Sequence, residues 1–120
     1  MNYRIVTTED FDREVKKLSK KYRSFKTDLI EFEKDLLANP TMGDDLGDNT
    51  RKVRMAIASK NKGKRGGARV LTCTVLVDIE NTKIYLLDIY DKSDKDTASK
   101  NEIKELKIKH GLVSPSPVSS

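Results

Sequence analysis

Apolar residues recur along this chain with two periods, and the switches between them divide it into elements. Arg4-Ile5-Val6-Thr7 reads as a short first strand. Phe11, Val15, Leu18 and Tyr22 then fall at the spacing of one helix face, with Lys16, Lys17, Lys20 and Lys21 on the wet side. Thr7 and Thr8 are N-cap candidates, and Glu9 and Asp10 suit a first turn, whose free N–H groups favour negative charge. Behind Ser24, a second candidate cap, Phe25, Leu29, Phe32 and Leu36 draw another stripe, which Ile30 and Leu37 widen. Asn39-Pro40 ends that helix, because the residue before a proline avoids the α region. The short joint at Tyr22-Arg23 predicts an antiparallel helical hairpin.

The period then changes to two. Residues 41–49 read as a loop by composition. Val53, Met55 and Ile57 alternate with Lys52, Arg54 and Ala56, a strand with one apolar face and one that begins with cations. A flexible cationic connection over 61–67 leads to the strongest strand signal, 69–77, rich in Val, Leu and Thr. A turn over 78–82 leads to a further strand over 83–90. Three consecutive strands with short links predict an antiparallel meander. After a polar loop, Ser99 and Glu102 have the spacing of a capping box before Ile103 and Leu106, and Gly111 suits the end of that helix. The order β-α-α-β-β-β-α predicts an α+β fold, one domain over 1–112, with the meander packed against the helical hairpin. The opposite sheet face, or its rim, is left for function. Residues 113–120, rich in Pro and Ser, predict a disordered tail.

Composition narrows the chemistry. With one Cys and one His among 120 residues, neither an internal disulfide, a Cys/His zinc site nor a two-histidine mechanism can be assembled. Cys73, inside a strand, reads as a small buried residue, and His110 as a charge favoured by a helix C-terminus. No apolar run approaches a membrane span or a secretory signal, so the expectation is a cytoplasmic protein with no membrane partner.

The net charge of +5 matters less than its placement. Residues 51–69 hold eight basic residues and no acidic one, leaving 16 basic against 19 acidic elsewhere, a net −3. A mildly acidic body with one concentrated cationic segment is the footprint of a polyanion partner. The glycines of Gly63-Lys64-Arg65-Gly66-Gly67 do not have P-loop spacing. Lys52 and Arg54 share a side of their strand, and Arg69 opens the adjoining strand, so an antiparallel pair joined by a long, open hairpin connection would bring Arg54 and Arg69 close. With Lys92 after the next strand, these cations are expected to converge on the open sheet face. Arg grips phosphate through its planar fork and Lys acts as a mobile point charge; together they stabilise the added charge of a pentacoordinate phosphorane. In such a nuclease an RNA 2′-OH attacks the adjacent phosphate; carboxylates do not accompany the cations, so no metal or other cofactor is expected.

Several segments together resemble a known family. They are Leu36-Leu37-Ala38-Asn39-Pro40 followed by Gly43-Asp44, Arg51-Lys52-Val53-Arg54-Met55-Ala56, Lys62-Gly63-Lys64-Arg65-Gly66-Gly67-Ala68-Arg69-Val70, and Ile84-Tyr85-Leu86-Leu87-Asp88-Ile89-Tyr90-Asp91-Lys92. In this order they resemble the RelE/ParE superfamily of type II toxin–antitoxin toxins, in its HigB-like branch. The resemblance implies a RelE-like, microbial-ribonuclease-like fold and a ribosome-dependent mRNA endoribonuclease (an mRNA interferase) that inhibits translation. It implies a cognate antitoxin, usually a helix-turn-helix DNA-binding protein that links the toxin indirectly to operator DNA. Carried across, Arg54, Arg69 and Lys92 are the catalytic candidates. Arg51, Lys52, Lys60, Lys62, Lys64 and Arg65 are the RNA-binding ones. Relatives often have paired aromatics where this chain has Thr72-Cys73-Thr74, and residues 93–120 lack the Tyr that some use to stack on a base, which leaves Tyr90 as its substitute. A ParE-like gyrase inhibitor and a non-catalytic RNA- or ribosome-binding module are the alternatives.

Overall fold

A computed structural model describes residues 2–95 and 97–112. Among the described residues, three helices and a five-stranded mixed sheet form an α+β fold. The elements are β1 (Asn2–Thr7), α1 (Glu9–Lys21), α2 (Phe25–Ala38), β2 (Asp44–Gly47), β3 (Thr50–Met55), β4 (Ala68–Leu76), β5 (Asn81–Asp91) and α3 (Lys100–Lys109). A 3₁₀ turn, Ala58–Lys60, follows β3. The sheet order is β1-β5-β4-β3-β2. The strands β3, β4 and β5 form the expected antiparallel meander, and β1 pairs with β5 in parallel along one edge. The Pro/Ser tail expected over 113–120 lies outside the described residues. Among the described residues no helix is long and apolar enough to cross a membrane.

One strand arises where a loop is expected. Residues 44–47 pair with β3 through backbone hydrogen bonds, with Asp45 also beside Arg51, and all four are exposed. The turn that makes this possible is Asp48-Asn49, with φ of +50° and +60°. A two-residue hairpin needs positive φ at both central positions, which Asp and Asn tolerate better than most residues.

The helical hairpin fills one face. Phe11 and Leu18 of α1 and Phe25, Phe32 and Leu36 of α2 are buried against Val53, Met55, Val70, Ile84, Leu86 and Ile89. Ile30 and Leu37 do not widen this stripe; they are exposed. They lie seven residues apart, so they share a line on the helix turned away from the Phe32 and Leu36 side. Thr8 caps α1 by accepting the Phe11 N–H, and its hydroxyl reaches the carbonyls of Leu86 and Leu87, seating the helix on β5.

The opposite face is not left open. α3, started by the capping box of Ser99 and Glu102, packs Ile103 and Leu106 on Leu71, Cys73, Leu87 and Tyr90. The physical reason lies in β4 and β5, which are apolar on both sides. Successive residues of β5 face opposite sides, so Leu86 enters one core cluster and Leu87 the other; the one-residue slip between Leu71 and Thr72 then makes Ile89, not Asp88, the next residue on the hairpin side. Two polar ties fix α3. Lys107, 6% exposed, donates to the Asp48 carbonyl at 2.9 Å and to Thr50 Oγ1 at 3.0 Å. At the helix end His110 and Lys109 meet Asp10 of α1 at 2.7 and 3.0 Å. Burial works to raise the Asp10 carboxyl, but the hydrogen bonds with His110 and Lys109 prevail and hold it below its ordinary value.

Candidate nucleic-acid interface

With one face under the hairpin and part of the other under α3, the cationic segment gathers at the end of the sheet where β3 finishes and β4 begins. Arg54 and Arg69 are direct cross-strand partners, as antiparallel pairing requires, and Arg69 is in turn opposite Tyr90. The two arginines have different fates. Arg54 is exposed, whereas Arg69 is 4% exposed. The Arg69 guanidinium donates to the carbonyls of Lys64 at 3.2 Å, Ala68 at 3.1 Å and Arg65 at 2.8 Å. It clamps the connection between β3 and β4 from beneath.

The same connection is held in two further ways. Gly67 passes so close to β3 that a Cβ there would lie 2.0 Å from the Met55 carbonyl oxygen. Its own carbonyl accepts the Lys92 N–H at 3.0 Å, tying the loop to the end of β5. Lys62, Arg65, Gly66, Lys92 and Ser93 thereby line one shallow cleft of about 370 Å³. Among the described residues its lining carries three cations and no carboxylate. Such a site suits a phosphate oxygen, which several point charges share and an Arg fork can grip.

The remaining candidates go elsewhere. Arg54 and Lys64 line a separate hollow of about 90 Å³ whose other wall includes Asp28, Glu31 and Asp35 of α2. Arg51 turns to Asp45 at 3.8 Å and to the Gly43 carbonyl at 3.4 Å, beside β2. Lys52 is half-buried opposite Leu71 and Asp44. The cations do not converge on an open sheet face; they divide between two hollows at one end of the sheet and the β2 edge. Tyr90 is buried beneath α3 and is not displayed for stacking on a base.

Lys60 occupies a position that its sequence context does not suggest. Its side chain is 7% exposed and pairs at 2.6 Å with Asp91 Oδ1, whose side chain is fully buried. Its ammonium also donates to Ser93 Oγ at 2.8 Å. The other Asp91 oxygen accepts the Tyr22 hydroxyl, and Oδ1 accepts the Ser93 N–H at 2.9 Å. Burial works to raise the Asp91 carboxyl; hydrogen bonds from Lys60, Tyr22 and the Ser93 N–H outweigh it and hold the group well below the usual carboxylate range. The 3₁₀ turn that carries Lys60 is pinned to α2, because Asp28 Oδ2 accepts the Ala58 N–H and Ser24 Oγ accepts the Ser59 N–H, each at 2.9 Å. Ser24 therefore stands at the N-cap position without making a cap hydrogen bond. Tyr22, Asp91 and Ser93 are the residues that sequence reasoning missed. The available signal was strand alternation, which puts Asp91 on the core side with Ile89, where a carboxylate requires partners.

No protein-family model matches the chain.

Proposed function

We propose that this protein is a ribosome-dependent mRNA endoribonuclease with a RelE-like fold, the toxin of a toxin–antitoxin pair, neutralised by a cognate antitoxin. The observation that carries the reading is the cleft where Lys62, Arg65 and Lys92 come together across a loop clamped by Arg69. In this reading the cleft receives the scissile phosphodiester of a message held by the ribosome. The 2′-hydroxyl gives its proton to water as its oxygen attacks phosphorus, the P–O5′ bond breaks and the leaving 5′-oxygen takes a proton from water, giving a 2′,3′-cyclic phosphate and a 5′-hydroxyl, while the cations share the charge of the phosphorane between them. Positioning by the ribosome supplies the alignment of the attacking oxygen. Arg69 then acts as a positioning residue, since its guanidinium is turned to loop carbonyls, and Lys62, Arg65 and Lys92 are the phosphate contacts.

A non-catalytic RNA- or ribosome-binding module is the second reading, and one observation favours it. Asp91, the carboxylate next to Ser93, is held ionised by its donors and takes up no proton near neutral pH. A reconstituted bacterial translation reaction with mapping of mRNA ends separates the readings. Cuts at fixed positions within codons, seen only with ribosomes and lost in Lys92→Gln, are expected of the endoribonuclease. RNA binding without cuts would leave the binding module. Intact mRNA, no RNA binding and a DNA-damage response on expression would point to gyrase instead.

A further inference from the structure

Ser93 stands in the cleft beside three cations, and its surroundings determine which way its hydroxyl works. Lys60 Nζ lies 2.8 Å from Ser93 Oγ. An ammonium has three donors and no acceptor, so in this contact Ser93 can only accept. Lys60 is itself held by Asp91 at 2.6 Å and is nearly buried, so the ammonium is fixed in place. The Ser93 backbone is fixed too: its N–H donates to Asp91 Oδ1, and the N–H groups of Asp94 and Lys95 both return to the Asp91 carbonyl. With a lone pair taken by Lys60, the Ser93 proton must point to another acceptor. Among the described residues no acceptor is seen to take it, and the side chain is exposed on the cleft.

We infer that Ser93 is a phosphate-contacting residue: it donates its hydroxyl proton to a non-bridging oxygen of the RNA backbone held by Lys62, Arg65 and Lys92. The buried Lys60–Asp91 pair acts behind it as a positioning pair that keeps the hydroxyl a donor. The inference rests on the reading of this cleft as the phosphate site, and it assigns Lys60 to positioning rather than to RNA contact. A neutral donor among cations has a distinct signature. It adds affinity that depends on geometry, and it releases no counterion.

The test is fluorescence anisotropy with a labelled single-stranded RNA about a dozen nucleotides long, titrated at several salt concentrations with wild type, Ser93→Ala, Ser93→Thr, Lys92→Gln and Arg65→Gln. A hydrogen bond of this kind makes an exposed contact about three- to tenfold tighter. Ser93→Ala is expected to weaken binding by that factor at every salt concentration, with the slope of log affinity against log salt unchanged. Ser93→Thr, which keeps the hydroxyl, is expected to restore it. Lys92→Gln is expected to lower both affinity and slope, the slope by about 0.7 for a single strand. If Lys92→Gln and Arg65→Gln bind like wild type, the cleft is not the RNA site and both the reading and the inference fall. If those two weaken binding while Ser93→Ala does not, the reading stands and the Ser93 assignment is overturned. If Ser93→Ala weakens binding but Ser93→Thr fails to restore it and both melt early, Ser93 is structural and the assignment is equally overturned.

Discussion

Replacing Asp91 by Asn tests the central electrostatic claim. The change preserves shape and removes one charge. It leaves the Lys60 ammonium, 7% exposed, beside a neutral amide, and it sets an amide N–H₂ against one of the donors that the carboxylate satisfies. Removing one partner of a buried ion pair costs about 3–5 kcal/mol, because the other charge stays buried and uncompensated. The exposed Lys21, 3.7 Å from Asp91 Oδ2, adds little, since surface pairs are worth about 0–1 kcal/mol. The lower end of the range, about 3 kcal/mol, corresponds to a Tm fall on the order of 10–15 °C for a chain of this size. Urea and thermal unfolding followed by circular dichroism measure it. The double variant Lys60→Met/Asp91→Asn is expected to lose less than the two single variants together, by about 1–3 kcal/mol of coupling.

The pH dependence gives an independent check with a definite sign. The folded carboxyl titrates well below its unfolded value, so between the two the unfolded chain binds the extra proton and stability rises with pH. The contribution is fully present above the unfolded aspartate range, near pH 4–5, and is lost as pH falls toward the folded value. Asp91→Asn has no such group, so its stability curve should flatten relative to wild type below about pH 4. A Tm within about 3 °C of wild type at neutral pH, or parallel acid limbs for the two proteins, would refute the reasoning.

Asp88 has the opposite sign. Burial pushes its carboxyl up to about 6, so the proton it holds when folded stabilises the protein at low pH, and that stability is lost as pH rises through the unfolded value and then through 6. Asp88→Asn should therefore raise the Tm at pH 7.5 and leave it nearly unchanged at pH 4, and a carboxyl carbon NMR titration should give a midpoint near 6 in wild type. Gly67→Ala would force a Cβ to within 2.0 Å of the Met55 carbonyl oxygen. Overpacking of this kind costs about 1–3 kcal/mol, so a lower Tm and weaker RNA binding together are expected, and an unchanged melt would contradict the close approach. Arg69→Ala removes the donors of the Lys64, Ala68 and Arg65 carbonyls; hydrogen exchange should accelerate across residues 61–67, while β1 and α3 keep their protection.

What the sequence revealed and what it hid follow from the range of each interaction. Caps and alternation are local, so Thr8, the Ser99–Glu102 box and the β3–β5 meander can be read from spacing. The strand β2 has no apolar alternation to read, since its four exposed residues pair by backbone; the trace it leaves is Asp48-Asn49, two residues at ease in the left-handed region. The covered second face was legible in principle, because Val70 and Leu71 are both apolar, as a strand buried on both sides demands. Of the site, the Arg54–Arg69 pairing follows from register. The fate of Lys60 does not, because its carboxylate lies 31 residues away, and composition cannot distinguish a cation that binds a ligand from one that is neutralised inside the fold.

That distinction divides the work of the cationic segment. Arg69 holds the loop by its carbonyls, Gly67 by its missing side chain, and Lys60 is neutralised by Asp91. None of these contacts uses the charges of Lys62, Arg65 or Lys92. Those three are kept together in one cleft by a frame that does not depend on them, and with no carboxylate among the described lining residues they repel one another. A cluster of like charges held in this way lowers the stability of the unliganded protein and gives that free energy back when an anion binds. Two effects should therefore run in opposite directions. Lys62→Gln or Lys92→Gln should raise the Tm at low ionic strength while weakening RNA binding, and added salt should erase the gain in Tm by screening the repulsion over about 10 Å at 0.1 M. RNA should raise the Tm of wild type more than that of either variant. A Tm lowered by these substitutions at low salt would mean that the cations support the loop themselves, and the cleft would then be part of the framework rather than a site held ready for a phosphate.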